Sequence, residues 1–244
     1  MLYDSRATSE ELHQARIEIA ILPIGAVEQH SHHLPLGTDW MTAEATARRV
    51  AEYIGAERDV YLLPALPYSL SQCHGSMPGS AWLTPKTLGD VLRDLASSLI
   101  DQGIRRIAVL NSHGGNFCLD DEICELNRLY KQAIVLNVAS WVAAEGPSGR
   151  VTGGDIHAGA GETSTMLAID PEHVRSERHD FSPSVGREFL DYATMPQISP
   201  HGVWGYPSQG SVEEGRAILD IGAERLARRL LAAFDEIAVL RGLA

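Results

Sequence analysis

Basic and aromatic residues are both scarce in this sequence of 244 residues. Lys and Arg together number 20 against 32 Asp and Glu, which gives a formal net charge of −12 at pH 7, and only 6% of residues are aromatic. An acidic surface repels phosphate backbones and anionic lipids, and few aromatic side chains leave little for bases to stack on. We therefore expect neither a nucleic-acid partner nor a membrane partner.

Cysteine is also rare, and long apolar runs are missing. The three cysteines, Cys73, Cys118 and Cys124, are odd in number and show no paired spacing, which favours a reducing compartment over a disulfide framework. The N-terminal segment carries charges throughout and lacks the apolar core of a secretory signal. No run approaches the roughly 18 apolar residues of a membrane span. These observations predict a cytoplasmic protein.

Segments typical of strands alternate with segments typical of helices, and no repeat or linker divides the chain. Residues 17–24 are nearly continuous in apolar residues, as in a strand that is buried on both faces. The alternation predicts the α/β class, with one domain over residues 1–244 and a mostly parallel sheet covered by helices on both faces. The expected elements are strands at 17–24, 60–63, 104–110 and 133–138, and helices at about 41–55, 85–102, 117–131, 162–169 and from 212 onwards. Thr8 followed by Glu11 fits the capped start of a short first helix, and Thr84 followed by Pro85 fits the start of the helix at 85–102.

The densest group of metal-ligand residue types follows the first predicted strand. Glu28 and His30 are two residues apart, so both side chains can point the same way in an extended loop, and Asp39 can return to the same place. Carboxylate and imidazole groups together suit Zn, Mn or Fe(II) better than Ca or Mg. The alternative is a polar surface loop with a chance run of histidines.

Two further groups follow later strands. His113 lies in the motif NSHGGN directly after a strand, where Gly114 and Gly115 let the backbone approach a ligand. A phosphate-binding turn is the alternative, although the sequence has neither a P-loop lysine nor a GxGxxG motif. His157 and Glu162 lie in the third group, HAGAGETS, where a helix-capping or hydrogen-bonded core histidine is the alternative reading. Because sites in such sheets form outside the carboxyl ends of the strands, the three groups together favour a metal-hydrolase site.

Other features carry less weight. Cys73 and His74 are adjacent, but no third group completes a thiol triad, so we interpret their segment as an ordinary loop that could wall the pocket. The absence of a GxSxG motif weakens a serine-hydrolase interpretation. Trp141 follows the last predicted strand and could line a substrate pocket or be buried in the core.

Three motifs in this order resemble the creatininase (creatinine amidohydrolase) family over nearly the whole chain: LPIGAVEQHSHHLPLGTD, NSHGGN and HAGAGETS. The resemblance implies a three-layer α/β/α domain, a small-molecule substrate, a homo-oligomer that is often a hexamer, and one or two divalent ions. By position, Glu28 and His113 would hold one ion, His30 the other, and Asp39 would bridge both. His157 would be the acid/base, Glu162 a further acidic group at the site, and Trp141 a substrate contact.

The chain departs from creatininase at several of these positions. Creatininase has a Tyr and a metal-binding Glu where this chain has Gly114 and Gly115. Glu162 or a water could therefore complete the second ion's ligands, and the alternative is a second site that is weak or empty. Ser31 and His32 replace the usual Gly-Pro, which makes His32 an extra candidate for contact with the ion or the substrate.

These departures argue against creatinine itself as the substrate. The leading hypothesis is a metal-dependent hydrolase of a small amide, cyclic amide or formamide, with catalytic His157 and Glu162, and with substrate contacts from Trp141, Gly114, Gly115 and His32. Family relatives with the Gly-Gly form suggest alternatives: a formamidopyrimidine-nucleotide deformylase, a mycofactocin-maturing peptidase, or a lactone or inosose hydrolase. A metal-binding protein without turnover is the competing class.

Overall fold

The computed structural model describes residues 1–141 and 154–243. Within these ranges, no helix is long and apolar enough to cross a membrane. The main elements, in chain order, are β1 (Leu2–Asp4), α1 (Ser9–Gln14), β2 (Ile19–Ile24), α2 (Thr38–Gly55), β3 (Val60–Leu62), α3 (Pro85–Asp101), β4 (Arg106–Asn111), α4 (Cys118–Leu129), β5 (Ile134–Ala139), α5 (Ala160–Ile169), α6 (Met195–Ile198), α7 (Val212–Ala217), a π-helical segment (Ile218–Gly222) and α8 (Ala223–Leu240). Short 3-10 turns lie at Gln72–His74, Pro171–His173, Arg187–Asp191 and Pro207–Gln209.

The five described strands form one parallel sheet in the order β1-β3-β2-β4-β5. β2 lies at its centre and pairs with β4 from Ala20 opposite Ile107 to Ile24 opposite Asn111. Because all strands run the same way, their carboxyl ends meet at one edge of the sheet. The predicted α/β class with a parallel sheet is confirmed.

Alternate residues of each strand pack against different helices. Ile19 and Ile21 of β2 belong to the core formed with α2 and α8, whereas Ala20 and Leu22 belong to the core formed with α3 and α4. Side chains of successive strand residues point to opposite faces, so a sheet covered on both faces needs apolar residues at every position. This arrangement explains why β2 is an unbroken apolar run and gives the three-layer α/β/α architecture.

Sequence signals at two helix starts are confirmed. The Thr8 side chain accepts a hydrogen bond from the Glu11 backbone N–H, and the Glu11 carboxylate accepts one from the Thr8 backbone N–H, which completes a capping box. The Thr84 hydroxyl oxygen accepts from the Thr87 backbone N–H, with Pro85 at the first position of α3.

Two elements differ from the prediction in ways that bear on the site. The short edge strand β1 was not predicted, since three residues carry no readable periodicity. α2 begins at Thr38 rather than at about residue 41, because the Thr38 hydroxyl donates to the Pro35 carbonyl at 2.7 Å and the Met41 N–H donates to the Gly37 carbonyl at 3.0 Å. Asp39 therefore lies in the first turn of a helix and not in a flexible loop.

Candidate metal centre

The loop between β2 and α2 carries the first group of side chains. Glu28 is fixed by its backbone N–H, which donates to the Leu36 carbonyl at 3.0 Å, so the loop folds back on itself. At Gly25, a Cβ atom would lie 2.3 Å from the Trp40 backbone. A glycine there lets the first turn of α2 approach the end of β2, which brings Asp39 to the carboxyl edge of the sheet.

His113 is held in the second group by two asparagines and the loop after β3. Its backbone N–H donates to the Asn111 side-chain oxygen at 3.1 Å, and the Asn116 amide donates to the same oxygen at 2.9 Å. Asn116 in turn accepts from the Leu70 backbone N–H at 3.1 Å. The motif NSHGGN thus ties the end of β4 to the loop that crosses beside it.

His157 and Glu162 lie at the N-terminal end of α5. The backbone of His157 pairs with Trp204 in both directions, at 3.0 and 2.8 Å. Ala158 takes a positive φ of 50°, and its N–H donates to the Glu162 carboxylate at 2.6 Å. These bonds turn the Glu162 side chain back toward the sheet edge.

The three groups converge on one cluster. His113 Nδ1 lies 3.3 Å from Glu28 Oε1 and 3.1 Å from Asp39 Oδ2. His30 Nε2 lies 3.1 Å from Asp39 Oδ1 and 3.7 Å from Glu162 Oε2. Ligand atoms within 4.8 Å of one another therefore form three sets: Glu28 with Asp39 and His113, His30 with Asp39 and Glu162, and Glu28 with His30 and His157. Asp39 belongs to two of these sets, through different oxygens.

Backbone carbonyls fix the orientation of the histidine rings. His30 Nδ1 lies 3.1 Å from the Glu28 carbonyl oxygen, His113 Nε2 contacts the Leu70 carbonyl oxygen, and His157 Nε2 lies 2.8 Å from the Gln29 carbonyl oxygen. A carbonyl only accepts hydrogen bonds, so His30 Nδ1 and His113 Nε2 carry the hydrogen of the neutral ring. His157 Nε2 also lies 2.9 Å from the Gln29 side-chain amide nitrogen, which is a donor, so this nitrogen has both a donor and an acceptor within reach. The other nitrogen of the His30 and His113 rings presents its lone pair to the carboxylates, which is the orientation of metal-ligating histidines.

The donor set fits a divalent metal. Glu28, His30 and Asp39 are almost completely buried, and both Glu28 oxygens and Asp39 Oδ2 lack a hydrogen-bond partner. Buried carboxylate oxygens without partners are costly, and a cation between them and the imidazole lone pairs satisfies both kinds of group. Carboxylate and imidazole ligands suit Zn, Mn or Fe(II).

Without such a cation, the cluster would have to hold protons instead. Burial by itself lowers the pKa of His30, but Asp39, Glu162 and Glu28 outweigh it and raise that pKa to about 10. The pKa of His113 is raised for the same reason: burial lowers it, and Glu28 and Asp39 more than offset the burial. Burial raises the pKa of Glu162 to about 7. The same charges that attract protons would favour a divalent cation.

His74 and Gln29 belong to this cluster but were not predicted. His74 is buried, its Nε2 lies 3.4 Å from Glu28 Oε1, and its ring lies 4.6 Å from the His157 ring. The Gln29 amide donates to His74 Nδ1 at 2.9 Å, which leaves His74 Nε2–H directed at Glu28. Burial lowers the pKa of His74 to about 3, so the ring is neutral. The interpretation of residues 73–74 as an ordinary loop is wrong for His74; the only sequence signal was its place after a strand, on the same sheet edge.

A cavity of about 650 Å³ opens above the cluster. Asp39, His157, Glu162 and Gly114 line it, and so does Trp141, which is 46% exposed. His32 lies elsewhere: it is exposed, with its ring 6.2 Å from that of His201. The structure thus brings Trp141 and Gly114 to the cavity and leaves His32 outside the part of its wall that is described.

Gly115 has no room for a side chain in this conformation. A Cβ atom there would lie 2.3 Å from His113 Nε2 and 2.9 Å from the Leu70 carbonyl oxygen. The carboxylate closest to His30 besides Asp39 comes instead from Glu162, on α5. Whether Glu162 completes a second ligand set, as its position allows, stays a prediction.

Comparison with known proteins assigns the family. The model of the creatininase family, described as creatinine amidohydrolase, matches residues 5–230. The chain is 33% identical over 222 residues to the mycofactocin precursor peptide peptidase of Mycolicibacterium smegmatis, covering 87% of this chain and 83% of the relative. It is 29% identical over 230 residues to the creatinine amidohydrolase of Pseudomonas putida, covering 86% and 87%.

Solved structures agree with this assignment. A crystal structure of creatinine amidohydrolase superimposes with a TM-score of 0.82 at 25% identity, covering 95% of this chain and 97% of that one. A creatininase variant in a Zn–Zn form superimposes with a TM-score of 0.81 at 25% identity, covering 95% and 98%. The protein belongs to the creatininase family and shares its hydrolase fold.

Proposed function

We propose that this protein is a metal-dependent amidohydrolase that cleaves the C–N bond of a small amide, cyclic amide or formamide. The observation that carries the proposal is the buried cluster in which unpartnered oxygens of Glu28 and Asp39 face imidazole lone pairs. Family membership supports the reaction class, and the Zn–Zn form of a creatininase variant supports a divalent ion.

The positions of the side chains support a division of roles. Glu28, Asp39 and His113 would hold one ion, and His30, Asp39 and Glu162 the second, with Asp39 shared. A divalent transition metal bound there supplies Lewis acidity toward the carbonyl and lowers the pKa of water.

His157 is placed to move protons. Its Nε2 contacts the backbone carbonyl and the side-chain amide of Gln29, so Nδ1, which lies 3.6 Å from Glu28 Oε1, is the nitrogen that can accept or release a proton at the cluster. Burial lowers its pKa well below the ordinary value, so the ring is neutral and can act first as a base. The protonated ring can then deliver that proton to the departing nitrogen. Trp141 and Gly114 would contact the substrate in the cavity.

The experiment combines metal analysis with turnover. Protein purified in metal-supplemented buffer is analysed for bound Zn, Mn and Fe, and is then assayed with formamides, cyclic amides, primary amides and short peptides. We expect one or two tightly bound ions per chain and turnover of at least one amide class that is lost on chelation. Protein with no tightly bound transition metal would refute the proposal, and bound metal without hydrolysis of any substrate would favour a binding protein without turnover.

A peptide amide is the second candidate substrate. The chain resembles a mycofactocin precursor peptide peptidase at 33% identity, and the cavity is open and large enough for more than a small cyclic amide. Hydrolysis of short peptides in preference to formamides and cyclic amides in the same assay would select this candidate.

The proposed partners are a small-molecule substrate and further copies of the chain. The proposal of a homo-oligomer, with a hexamer as its largest form, rests on the family resemblance alone. Sedimentation velocity tests it directly, because the 26.5-kDa chain and its hexamer differ sixfold in mass.

A further inference from the structure

The cavity above the cluster has one arginine in its wall. Among the described residues that line it, Arg187 is the single Lys or Arg, whereas acidic side chains occur at several positions. In a chain with a net charge of −12, a cationic side chain at the mouth of an acidic site is the exception. The acidic residues of this wall are Asp39, Asp120, Asp155 and Glu162.

Most of the hydrogen-bonding capacity of Arg187 is unused. Its Nη2 donates to the Gly114 carbonyl oxygen, and none of the ion pairs in residues 1–141 and 154–243 involves its guanidinium. Guanidinium has five N–H donors in a planar fork that matches the two oxygens of a carboxylate or phosphate. One bond to a carbonyl positions this fork and leaves the other donors for a ligand.

Gly114 links Arg187 to the reacting end of the cavity. A Cβ atom at Gly114 would lie 3.1 Å from Arg187 Nη2, so the absence of a side chain at Gly114 leaves room for the guanidinium. Gly114 directly follows His113, whose Nδ1 faces Glu28 and Asp39. The guanidinium is thus hydrogen-bonded to the backbone of Gly114, the residue that follows His113 of the cluster.

We propose that Arg187 binds an anionic group of the substrate, so that the enzyme acts on amides that carry a carboxylate or a phosphate. The inference rests on the proposed amidohydrolase function and narrows its substrate class. Without a cation in the cavity wall, the acidic side chains would repel such a substrate. The guanidinium offsets that repulsion and orients the scissile amide toward the cluster, because it holds the far end of the molecule at a fixed place.

The test uses the metal-loaded full-length protein and three matched formamides: N-formylglycine, its neutral carboxamide, and N-formylaminoethyl phosphate. The measured quantity is the ratio of kcat/KM for each anionic probe to kcat/KM for the neutral probe. We expect the wild type to favour an anionic probe by about 10- to 100-fold, the range of one charge-assisted hydrogen-bonded pair. Arg187→Met should bring the ratio to one or below, mainly through KM, and Arg187→Lys should give an intermediate ratio because it keeps the charge but not the fork.

Arg175→Met is the matched control. Arg175 is exposed on the same stretch of chain, and its side chain donates to the Glu172 carbonyl outside the cavity, so its loss removes the same charge without touching the cavity wall. We expect this variant to keep the wild-type ratio. A ratio near one in the wild type, or one that Arg187→Met leaves unchanged, would overturn the inference.

Binding measured by calorimetry separates this inference from the proposed function. The amidohydrolase proposal fails only if the wider panel of amides is not hydrolysed, and even then the dissociation constants of the same three probes decide the role of Arg187. Tighter binding of the anionic probes that is lost in Arg187→Met supports the anion site, and equal binding of all three refutes it. The anionic probe that binds more tightly identifies whether a carboxylate or a phosphate is the group recognised.

Discussion

Two groups of side chains in this protein have the same composition and very different surroundings. Glu28, Asp39 and His113 form one, and Asp170, Glu172 and His173 form the other; in each, two carboxylates and an imidazole offer ligand atoms within 4.8 Å of one another. The first group is buried at the carboxyl edge of the sheet, and the second lies at the surface, just after α5.

The solvent exposure of each group determines how its polar atoms are satisfied. His173 Nδ1 bonds to Asp170 Oδ1 at 2.8 Å, and the His173 side chain is 56% exposed, so water and a proton satisfy the pair. The hydrogen bond and the charge of Asp170 raise the pKa of His173. Exposed pairs of this kind contribute little to stability or binding.

In the buried group, very little side-chain surface reaches the cavity, and both Glu28 oxygens and Asp39 Oδ2 have no hydrogen-bond partner. The His113 ring is anchored by a carbonyl on its far side, which directs its lone pair inward. Short distances among carboxylates and imidazoles are therefore not sufficient for a metal site. Burial and backbone anchoring distinguish the two groups.

Removing the shared carboxylate should have the largest effect. Asp39→Ala takes ligand atoms from both proposed ion positions, so we expect bound metal and turnover to fall below detection, as measured by elemental analysis and amide hydrolysis. Asp170→Ala removes the equivalent carboxylate of the exposed group and serves as the control, with metal content and rate unchanged. Full activity in Asp39→Ala would disprove the bridging role.

His157→Ala should separate catalysis from metal binding. We expect kcat to fall by about 10²- to 10⁴-fold, the usual contribution of a positioned general acid/base, while the metal content stays that of the wild type. Metal loss would instead make His157 a ligand, an outcome that the set of Glu28, His30 and His157 would explain.

Metal removal should destabilise the protein through the buried group alone. Ion binding at 100 times the dissociation constant stabilises the folded state by about 2.7 kcal/mol, so chelation should lower the melting temperature measurably. In Asp39→Ala the chelator should have no such effect, whereas in His173→Ala the shift should match that of the wild type. If the fall in melting temperature on chelation depended on His173, the exposed group and not the buried one would bind the metal.

Gly115→Ala tests how tightly the buried group is packed. The new Cβ would collide with the His113 ring and the Leu70 carbonyl, and such overpacking costs about 1–3 kcal/mol in the free energy of unfolding. Gly154→Ala is the control, since a Cβ there meets nothing within 4 Å. Denaturant unfolding of both variants measures the difference; equal stability would mean that the His113 loop is looser than described.

His173→Ala should have the smallest effect. Substitutions of exposed residues away from special features change the free energy of unfolding by no more than about 0.5 kcal/mol. We expect denaturant unfolding of this variant to agree with that of the wild type within that range. A loss of several kcal/mol would show that the exposed group contributes to stability in a way that its solvent contact does not explain.

Much of the architecture could be predicted from local sequence patterns. The apolar run of β2 and the capping signals at Thr8 and Thr84 report interactions within a few residues, so strand, helix and their alternation were readable. β1 was not, because its pairing with β3 joins residues that are far apart in the sequence. A strand of three residues is too short for its sequence pattern to predict such a contact.

Local sequence patterns likewise predicted some residues of the candidate site and missed others. Glu28, His30, Asp39, His113 and His157 were predicted because each lies in a motif after a strand, and the structure brings them together. His74 was missed, since its role depends on the path of the long loop after β3 and on the Gln29 amide, neither of which has a local signature. His32 lies within the first motif, yet the turn at Ser31, with φ 59°, is followed by an exposed His32 ring.

The central claim is that the buried group, and not the exposed one, holds metal. Anomalous diffraction from crystals of the metal-loaded protein tests it most directly. We expect a peak between Glu28, Asp39 and His113, and a second one beside His30 about 3.5–4 Å away, with Asp39 between them. No peak at Asp39, or a peak at Asp170, Glu172 and His173 in its place, would show that the buried group is not the metal site.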